Sequence, residues 1–412
     1  MTGILPLTRS PGGSSFLSMG EYKAKTESLF PILTAPPETS CQGDSPADSN
    51  RLRGIARLAA QGDAAGEGHC VEFRTLPVRS ILNSSVSRRG LWFAKSINPY
   101  RGCEFACRYC YARYTHEFME MKDPADFERK IYMKENAAWL LQQEIRHLRA
   151  GEEVALGTAT DPYQPVERKA KITRSLLEVF ATQSGLRFGI VTKSTLIERD
   201  IDLLRRIADK NDLVIHITIT TPDAKLARIL EPRAPRPDLR FQTVQRLRQA
   251  GLRTGILCSP LLPGITDNAR ALDSMARRAK AVDASFFAAS PLFLKPCSKG
   301  TFLTFIHEHF PQLDSSYAQR YADAAFVSKA YQKRITDLVL AITKKHGLNR
   351  RFTDALLTRD AGSETGSSSE DQRLPVQAEL WPSINNEKRA LEKRGPSSVA
   401  AEKVAQRVMM TS

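Results

Sequence analysis

The stretch "NPYRGCEFACRYCYAR", Asn98 to Arg113, sets Cys103, Cys107 and Cys110 within eight residues, in the spacing C-x3-C-x2-C. Three thiols this close on one short segment need a reason beyond core packing. The other cysteines, Cys41, Cys70, Cys258 and Cys297, are scattered. Seven cysteines in a chain without a recognisable secretion signal are not a disulfide framework. The trio therefore reads as a ligand set.

Of the 412 residues, 42% are hydrophobic and 25% charged, which allows a sizeable globular core. No run approaches the ~18 uninterrupted apolar residues of a membrane span. The N-terminus is too weakly apolar for a signal peptide, and the expected compartment is the cytoplasm, with no membrane contact. The formal net charge is +15, which favours polyanionic partners such as nucleic acid. Basic stretches such as "EPRAPRPDLRFQTVQRLRQAGLR" also read as solvated helix surface.

Five further segments read as buried strands: "EVALGTAT" from Glu153, "RFGIVTKS" from Arg187, "DLVIHITITT" from Asp212, "RTGILCSPLLPG" from Arg253 and "ASFFAASPLFL" from Ala284. Helical patterns separate them, among them "KENAAWLLQQEIRHLRAG" and "KITRSLLEVFATQSG", each stopped by glycine. With a first strand near Ser96 to Pro99, the alternation predicts an α/β fold, a partial (β/α)6 barrel of parallel strands. Residues 1–65 and 349–412, rich in Ser, Gly and Pro, are expected to be disordered tails. The segment 66–95 is a lead-in, 96–300 the core and 301–348 a helical extension.

The working face of such a fold lies at the C-terminal ends of its strands. Gly157, Thr158, Thr160 and Asp161, then Lys193 and Ser194, Thr218 and Thr220, Cys258 and Ser259, and Ser290 collect there. The cysteine loop follows the first strand and opens onto the same face.

Two metal chemistries suit three thiolates. Structural zinc is closed and tetrahedral and needs a fourth ligand, for which His116, Cys258 and Cys297 are available. An iron–sulfur cubane held by three cysteines keeps one iron open to substrate. Here the sequence resembles the radical S-adenosylmethionine (radical SAM) superfamily, through C-x3-C-x2-C after the first strand and Tyr109 before the third cysteine. "NPYRGC", "CRYCYAR", "DFERKIYMKENA", "ALGTATDPYQPVERK", "VTKSTLIERD" and "ARILEPRAP" look like the bacterial members grouped with spore photoproduct lyase, over roughly Val71 to Leu348.

The resemblance implies a 4Fe–4S cluster on Cys103, Cys107 and Cys110, and S-adenosylmethionine as cosubstrate. Reductive cleavage of its sulfonium would give a 5′-deoxyadenosyl radical that abstracts hydrogen from a substrate. Tyr109 would lie beside the adenine. Gly157, Thr158 and Thr160 would meet the methionyl amine, Lys193 and Ser194 the carboxylate, and Thr218 and Thr220 the ribose. A reducing electron donor such as flavodoxin or ferredoxin is implied as partner, and nucleic acid as the substrate class.

The sequence also departs from its relatives. Phe105 and Ala106 stand where His-Gly is common, so the loop geometry is expected to shift at Ala106. "GTATDP" lacks the cysteine that spore photoproduct lyase uses as hydrogen donor, which leaves Cys258 as the candidate donor, against a reading as small apolar filler. Asp161 reads either as a substrate-orienting group or as an Asp-Pro turn. Tyr111 reads as a radical-path residue or as packing, and Arg101 as a tuner of cluster potential or an ion-pair partner. His216 reads as a core histidine, and "KPCSKGTF" as a loop with Cys297 incidental.

Overall fold

The computed structural model describes residues 53–61, 64–68, 71–84, 95–148 and 152–348. Most of the two tails expected to be disordered lies outside these residues.

The strands in chain order are β1 Ala64–Gly68, β2 Val71–Thr75, β3 Leu82–Ser84, β4 Lys95–Ile97, β5 Tyr100–Arg101, β6 Lys130–Met133, β7 Glu153–Leu156, β8 Arg187–Thr192, β9 Asp212–Thr218, β10 Thr254–Leu261 and β11 Phe287–Pro291. Seven form one sheet in the order β11-β10-β9-β8-β7-β4-β3. Within this sheet every pairing from β4 across to β11 is parallel. The six parallel strands are the six β/α units expected. β3 runs antiparallel to β4 and caps that edge. The edge strands β11 and β3 do not pair, so the sheet stays open, as expected of a partial barrel.

Burial explains why these strands hold. Val154, Leu156, Phe188, Ile190, Ile215, Ile217 and Ile256 are fully or almost fully buried and share one core with the inward faces of the crossover helices. Helix Ile172–Phe180 places Ile172, Leu176, Leu177, Val179 and Phe180 there. Phe180 stacks on Phe188 at 4.1 Å between centroids. Aliphatic burial on this scale is the main force for folding, about 25 cal/mol per Å² of apolar area. Three of the described helices start on side-chain caps, at Asp223, Asn268 and Ser328, which hold otherwise unbonded first-turn N–H groups. Gly347, left-handed at φ 71°, ends the last helix, Lys329–His346, which packs on Ala269–Ala281 and on β11.

Three expectations change. The segment expected to be unordered through residue 65 contains helix Gly54–Ala60 and the start of β1. Ala59 of that helix is buried with Leu76, Met119 and Tyr132, so tertiary packing fixes a stretch whose local composition does not. The lead-in is also more than a connection. β1 and β2 join β6 and β5 in a second sheet, ordered β1-β2-β6-β5. "KPCSKGTF" is not a loop but the first turns of helix Pro296–His309, with proline at its start where no N–H is needed. The core boundary drawn at 300 falls inside that helix.

Candidate active site

The cysteine loop leaves β5 and returns to β6, and these two strands pair antiparallel, Tyr100 with Met133 and Arg101 with Tyr132. A short ladder thus clamps the neck of the loop. Gly102, at φ 84°, opens it; a Cβ there would lie 2.8 Å from the carbonyl oxygens of Phe127 and Lys130. Cys103 N–H donates to the Phe127 carbonyl at 2.9 Å. Ala106 adopts φ 55°, the left-handed region. The expected shift away from that geometry is not seen: the neighbouring bonds hold alanine in a conformation glycine would take more readily.

The "TDPYQPVE" stretch fastens the loop from the other side. Thr160 Oγ1 donates to the Gly102 carbonyl at 2.6 Å. Gln164, fully buried, donates to Thr160 Oγ1 at 3.2 Å and accepts from Glu104 N–H at 2.9 Å. Glu104 accepts from Val166 N–H at 2.7 Å. Arg113, 2% exposed, pairs with Glu128 at 2.6 Å and donates to the Cys107 carbonyl at 3.2 Å. Arg108 N–H donates to the Leu230 carbonyl at 2.9 Å.

Within this frame Cys103 and Cys107 are buried, Cys110 is half-buried, and all three are free thiols. Burial pushes each thiol pKa up, Cys107 to about 12. For Cys103 the charges of Asp161, Cys107 and Cys110 add to the rise. Among the described residues no group of three or more His, Cys, Asp or Glu side chains could hold a single metal ion. A cubane asks for something else, since its three protein-bound irons sit at separate corners. Three free thiols on one fixed loop, close enough to influence one another, fit that donor set. The fourth-ligand candidates for zinc each bond a backbone carbonyl, with His116 Nδ1 left without a partner. His116 Nε2 bonds the Lys130 carbonyl at 2.9 Å, Cys258 Sγ the Thr220 carbonyl at 3.7 Å, and Cys297 Sγ the Tyr111 carbonyl at 3.6 Å.

Two of the sequence-selected residues, Thr220 and Lys193, meet Tyr109. Its hydroxyl donates to Glu231 and lies 2.9 Å from Thr220 Oγ1, which itself donates to Glu231 at 2.9 Å. Glu231 and Arg240 form an ion pair at 2.5 Å, each side chain 1% exposed. Arg240 also donates to the Thr218 carbonyl at 3.1 Å. Burial works to raise the Glu231 pKa, but Arg240 and Lys193, with the bond from Tyr109, hold it below the usual carboxylate range. The Tyr109 phenol is driven up by burial and by Glu231. Lys193 Nζ stands 5.7 Å from the centre of the Tyr109 ring.

Asp161 ties two strand ends together, accepting from Thr192 Oγ1 at 2.6 Å, Lys193 N–H at 2.8 Å and Tyr163 N–H at 2.9 Å. Burial outweighs these bonds and raises its pKa. Gly157, at φ 88°, could not carry a Cβ, which would lie 2.6 Å from the Val191 carbonyl. Thr158 Oγ1 accepts from Asn98 at 3.3 Å, and Tyr111 donates to the Thr158 carbonyl and packs on Phe293. Ser194 caps the turn Thr195–Asp200, accepting from Leu196 N–H at 3.2 Å. Thr160 and Ser194 hydroxyls thus already serve the protein's own backbone. Cys258, 1% exposed within β10, has its thiol pushed up to about 12 by burial and Glu231.

Sequence reasoning missed Glu231 and Arg240, and read the stretch containing Arg240 as partly solvated helix surface. The signal was present in "ARILEPRAP", but the partner lies nine residues further on, where an arginine looks like any other surface cation. Asn98, Glu104 and Gln164 were also missed as loop supports. His216 is a core residue as read: it packs against Phe286, and neither ring nitrogen has a hydrogen-bond partner.

Comparison with known proteins agrees with this geometry. The radical SAM superfamily model matches residues 97–276. Uncharacterized proteins of Mycobacterium bovis and Mycobacterium tuberculosis are each 30% identical over 338 residues, covering 82% of this chain and 96% of theirs. Among solved structures, a spore photoproduct lyase variant superposes with a TM-score of 0.50 at 17% identity, covering 73% of this chain and 86% of that one, a likeness of fold. Three free cysteines on a clamped loop after the first parallel strand, the family match and the matching fold lead to one conclusion: the chain belongs to the radical SAM superfamily.

Proposed function

We propose that this protein is a radical SAM enzyme that cleaves S-adenosylmethionine reductively and abstracts a hydrogen atom from a substrate. The observation that carries the reading is the loop itself, with three free thiols in C-x3-C-x2-C whose Tyr109 is tied through Thr220 and Glu231 to the end of β9. Cys103, Cys107 and Cys110 would hold a 4Fe–4S cluster, which when bound supplies one electron to the sulfonium of S-adenosylmethionine.

The chain's own residues do the positioning. Tyr109, fixed by its hydroxyl, offers a rigid ring face for the adenine. Lys193 offers a cation for the cosubstrate carboxylate. Gly157 gives the strand end a left-handed turn packed directly on Val191 and Pro162, where no side chain fits, and Thr158, Thr160, Ser194, Thr218 and Thr220 line the same strand ends. Asp161 holds the β7 and β8 ends in register, and so orients the pocket. Tyr111, between the third cysteine and Phe293, is the candidate radical-path residue. Cys258, kept as S–H by its raised pKa, has a hydrogen atom to give, the state a donor needs.

The favoured substrate class is nucleic acid, supported by the net charge of +15. The test is anaerobic incubation of the reduced, cluster-loaded protein with S-adenosylmethionine. 5′-Deoxyadenosine should form, and Cys110→Ala should abolish it; persistence in that variant refutes the ligand set. Salt-sensitive retention of duplex or single-stranded DNA or RNA by the same preparation supports the substrate class, and none at low salt points to a peptide or small molecule.

A further inference from the structure

The outer side of the cysteine loop carries a charge pattern that this reading does not use. Helix Ala224–Leu230 and the segment after it lie against the loop: Arg108 N–H bonds the Leu230 carbonyl at 2.9 Å and Arg233 N–H the Phe105 carbonyl at 3.4 Å. Lys225, Arg228 and Arg233 are exposed and Arg108, between two of the three cysteines, is half-buried. None of these four cations forms an ion pair among the described residues. The guanidinium of Arg228 bonds the Pro232 carbonyl at 2.7 Å, and that of Arg233 the carbonyls of Glu104 and Glu128 at 3.4 and 3.2 Å, contacts that leave the charge in place.

The neighbouring acids are committed inward or to other cations. Glu231 pairs with Arg240, Glu128 with Arg113, and Asp238 with Arg236 at 3.1 Å. Glu104 accepts from Val166 N–H. Asp223 is exposed but caps its helix, accepting from Lys225 and Leu226 N–H. Three exposed cations and the half-buried Arg108 thus stand against one exposed carboxylate, on backbone bonded to the cysteine loop.

We infer that Arg108, Lys225, Arg228 and Arg233 form the docking surface for an acidic one-electron carrier protein, flavin- or iron–sulfur-loaded, that reduces the cluster. This rests on the function proposed above. The carrier gives one electron and is oxidised by one; the cluster accepts it, and no bond is made or broken. The position favours a carrier over a nucleic acid. An electron donor must come near the ligating loop, and Arg108 lies on that loop while the Leu230 and Arg233 backbone bonds to it. Redox encounters are small and transient, so charge steering should act on the association rate.

The test uses full-length, cluster-loaded protein and its Lys225→Glu/Arg228→Glu variant, mixed anaerobically with reduced flavodoxin while cluster bleaching is followed by stopped flow. At low salt the second-order rate constant should fall about tenfold or more, and the two proteins should converge as salt screens the charges. Reduction by dithionite, and dithionite-driven 5′-deoxyadenosine formation, should be unchanged. An unchanged flavodoxin rate overturns the proposal. So does an unchanged rate with lost binding of duplex DNA, which assigns the patch to nucleic acid. If dithionite yields no 5′-deoxyadenosine in the parent protein, the enzymatic reading fails while the stopped-flow arm still reports on the surface. Should the charge reversals impair folding, Lys225→Gln/Arg228→Gln must give the same direction with a smaller change; no change there also overturns it.

Discussion

The buried pair of Glu231 and Arg240 shows how single residues hold this site. Each is about as buried as the strand valines and isoleucines, and Arg240, 2.5 Å away, helps hold the Glu231 carboxyl below the usual carboxylate range against its burial. Such a pair adds little net stability, since desolvation offsets the attraction. Its value is positional: Glu231 receives the hydroxyls of Tyr109 and Thr220, so a ring on the cysteine loop and a side chain beyond β9 share one acceptor. Breaking one half should therefore hurt more than replacing both. Arg240→Met leaves an unpaired buried carboxylate and should cost about 3–5 kcal/mol in urea unfolding. Glu231→Gln/Arg240→Met keeps an acceptor for both hydroxyls and should recover most of that loss. A double variant as unstable as the single one would show that packing, not charge, is what Arg240 supplies.

Among the elements, β9 carries the most direct pH dependence. His216 sits mid-strand opposite Gly255 of β10, with Phe286 5.0 Å away and no hydrogen bond to either ring nitrogen. Burial lowers its pKa to about 3. The unfolded chain binds this proton below about pH 6.5, whereas the folded chain refuses it until about pH 3. The stability tied to neutral His216 is therefore complete above pH 6.5 and is lost as pH falls toward 3, at up to about 1.4 kcal/mol per pH unit. His216→Leu should flatten the fall in unfolding free energy between pH 6 and 4 by about one proton, measured by urea titration at each pH. An equal slope in the variant would place the acid sensitivity elsewhere, for instance at His116, whose pKa burial lowers to about 4. Five of the six parallel strands were legible because buried β-strands are written as runs of Val, Ile, Leu and Phe bounded by Gly, Asp or Asn, whereas β4 is Lys-Ser-Ile. β5 and β6 were not, because two and four residues are too few to show a period, and what makes them strands is each other. Thr195–Asp200 is a tight 3-10 turn held by the Ser194 cap, and the α-helix begins only at Ile201.

At the scale of the molecule, the site lies between two sheets: β4 of the larger sheet and β5 of the smaller are separated by two residues, and the thiols follow at once. The three cysteines were legible as ligands because their spacing is chemistry written locally. What fixes them was not, because Gln164, Leu230, Glu231 and Arg240 reach the loop from far along the chain. This division has a consequence for metal removal. Small zinc domains fold on their metal because the ligands have little else to hold them. Here the loop is held by the β5–β6 ladder, the Arg113–Glu128 pair, Gln164 and the Tyr109–Glu231 contact, all made by protein alone. Chelator-stripped protein should therefore keep its near-ultraviolet circular dichroism and a single cooperative thermal transition. Its midpoint should fall only by the linkage of cluster binding to the folded state, and recover on anaerobic reconstitution. A stripped protein that keeps its far-ultraviolet signal but loses near-ultraviolet structure and binds a hydrophobic dye would be a molten globule. That result would mean the cluster builds the loop, rather than entering a loop the fold has already built.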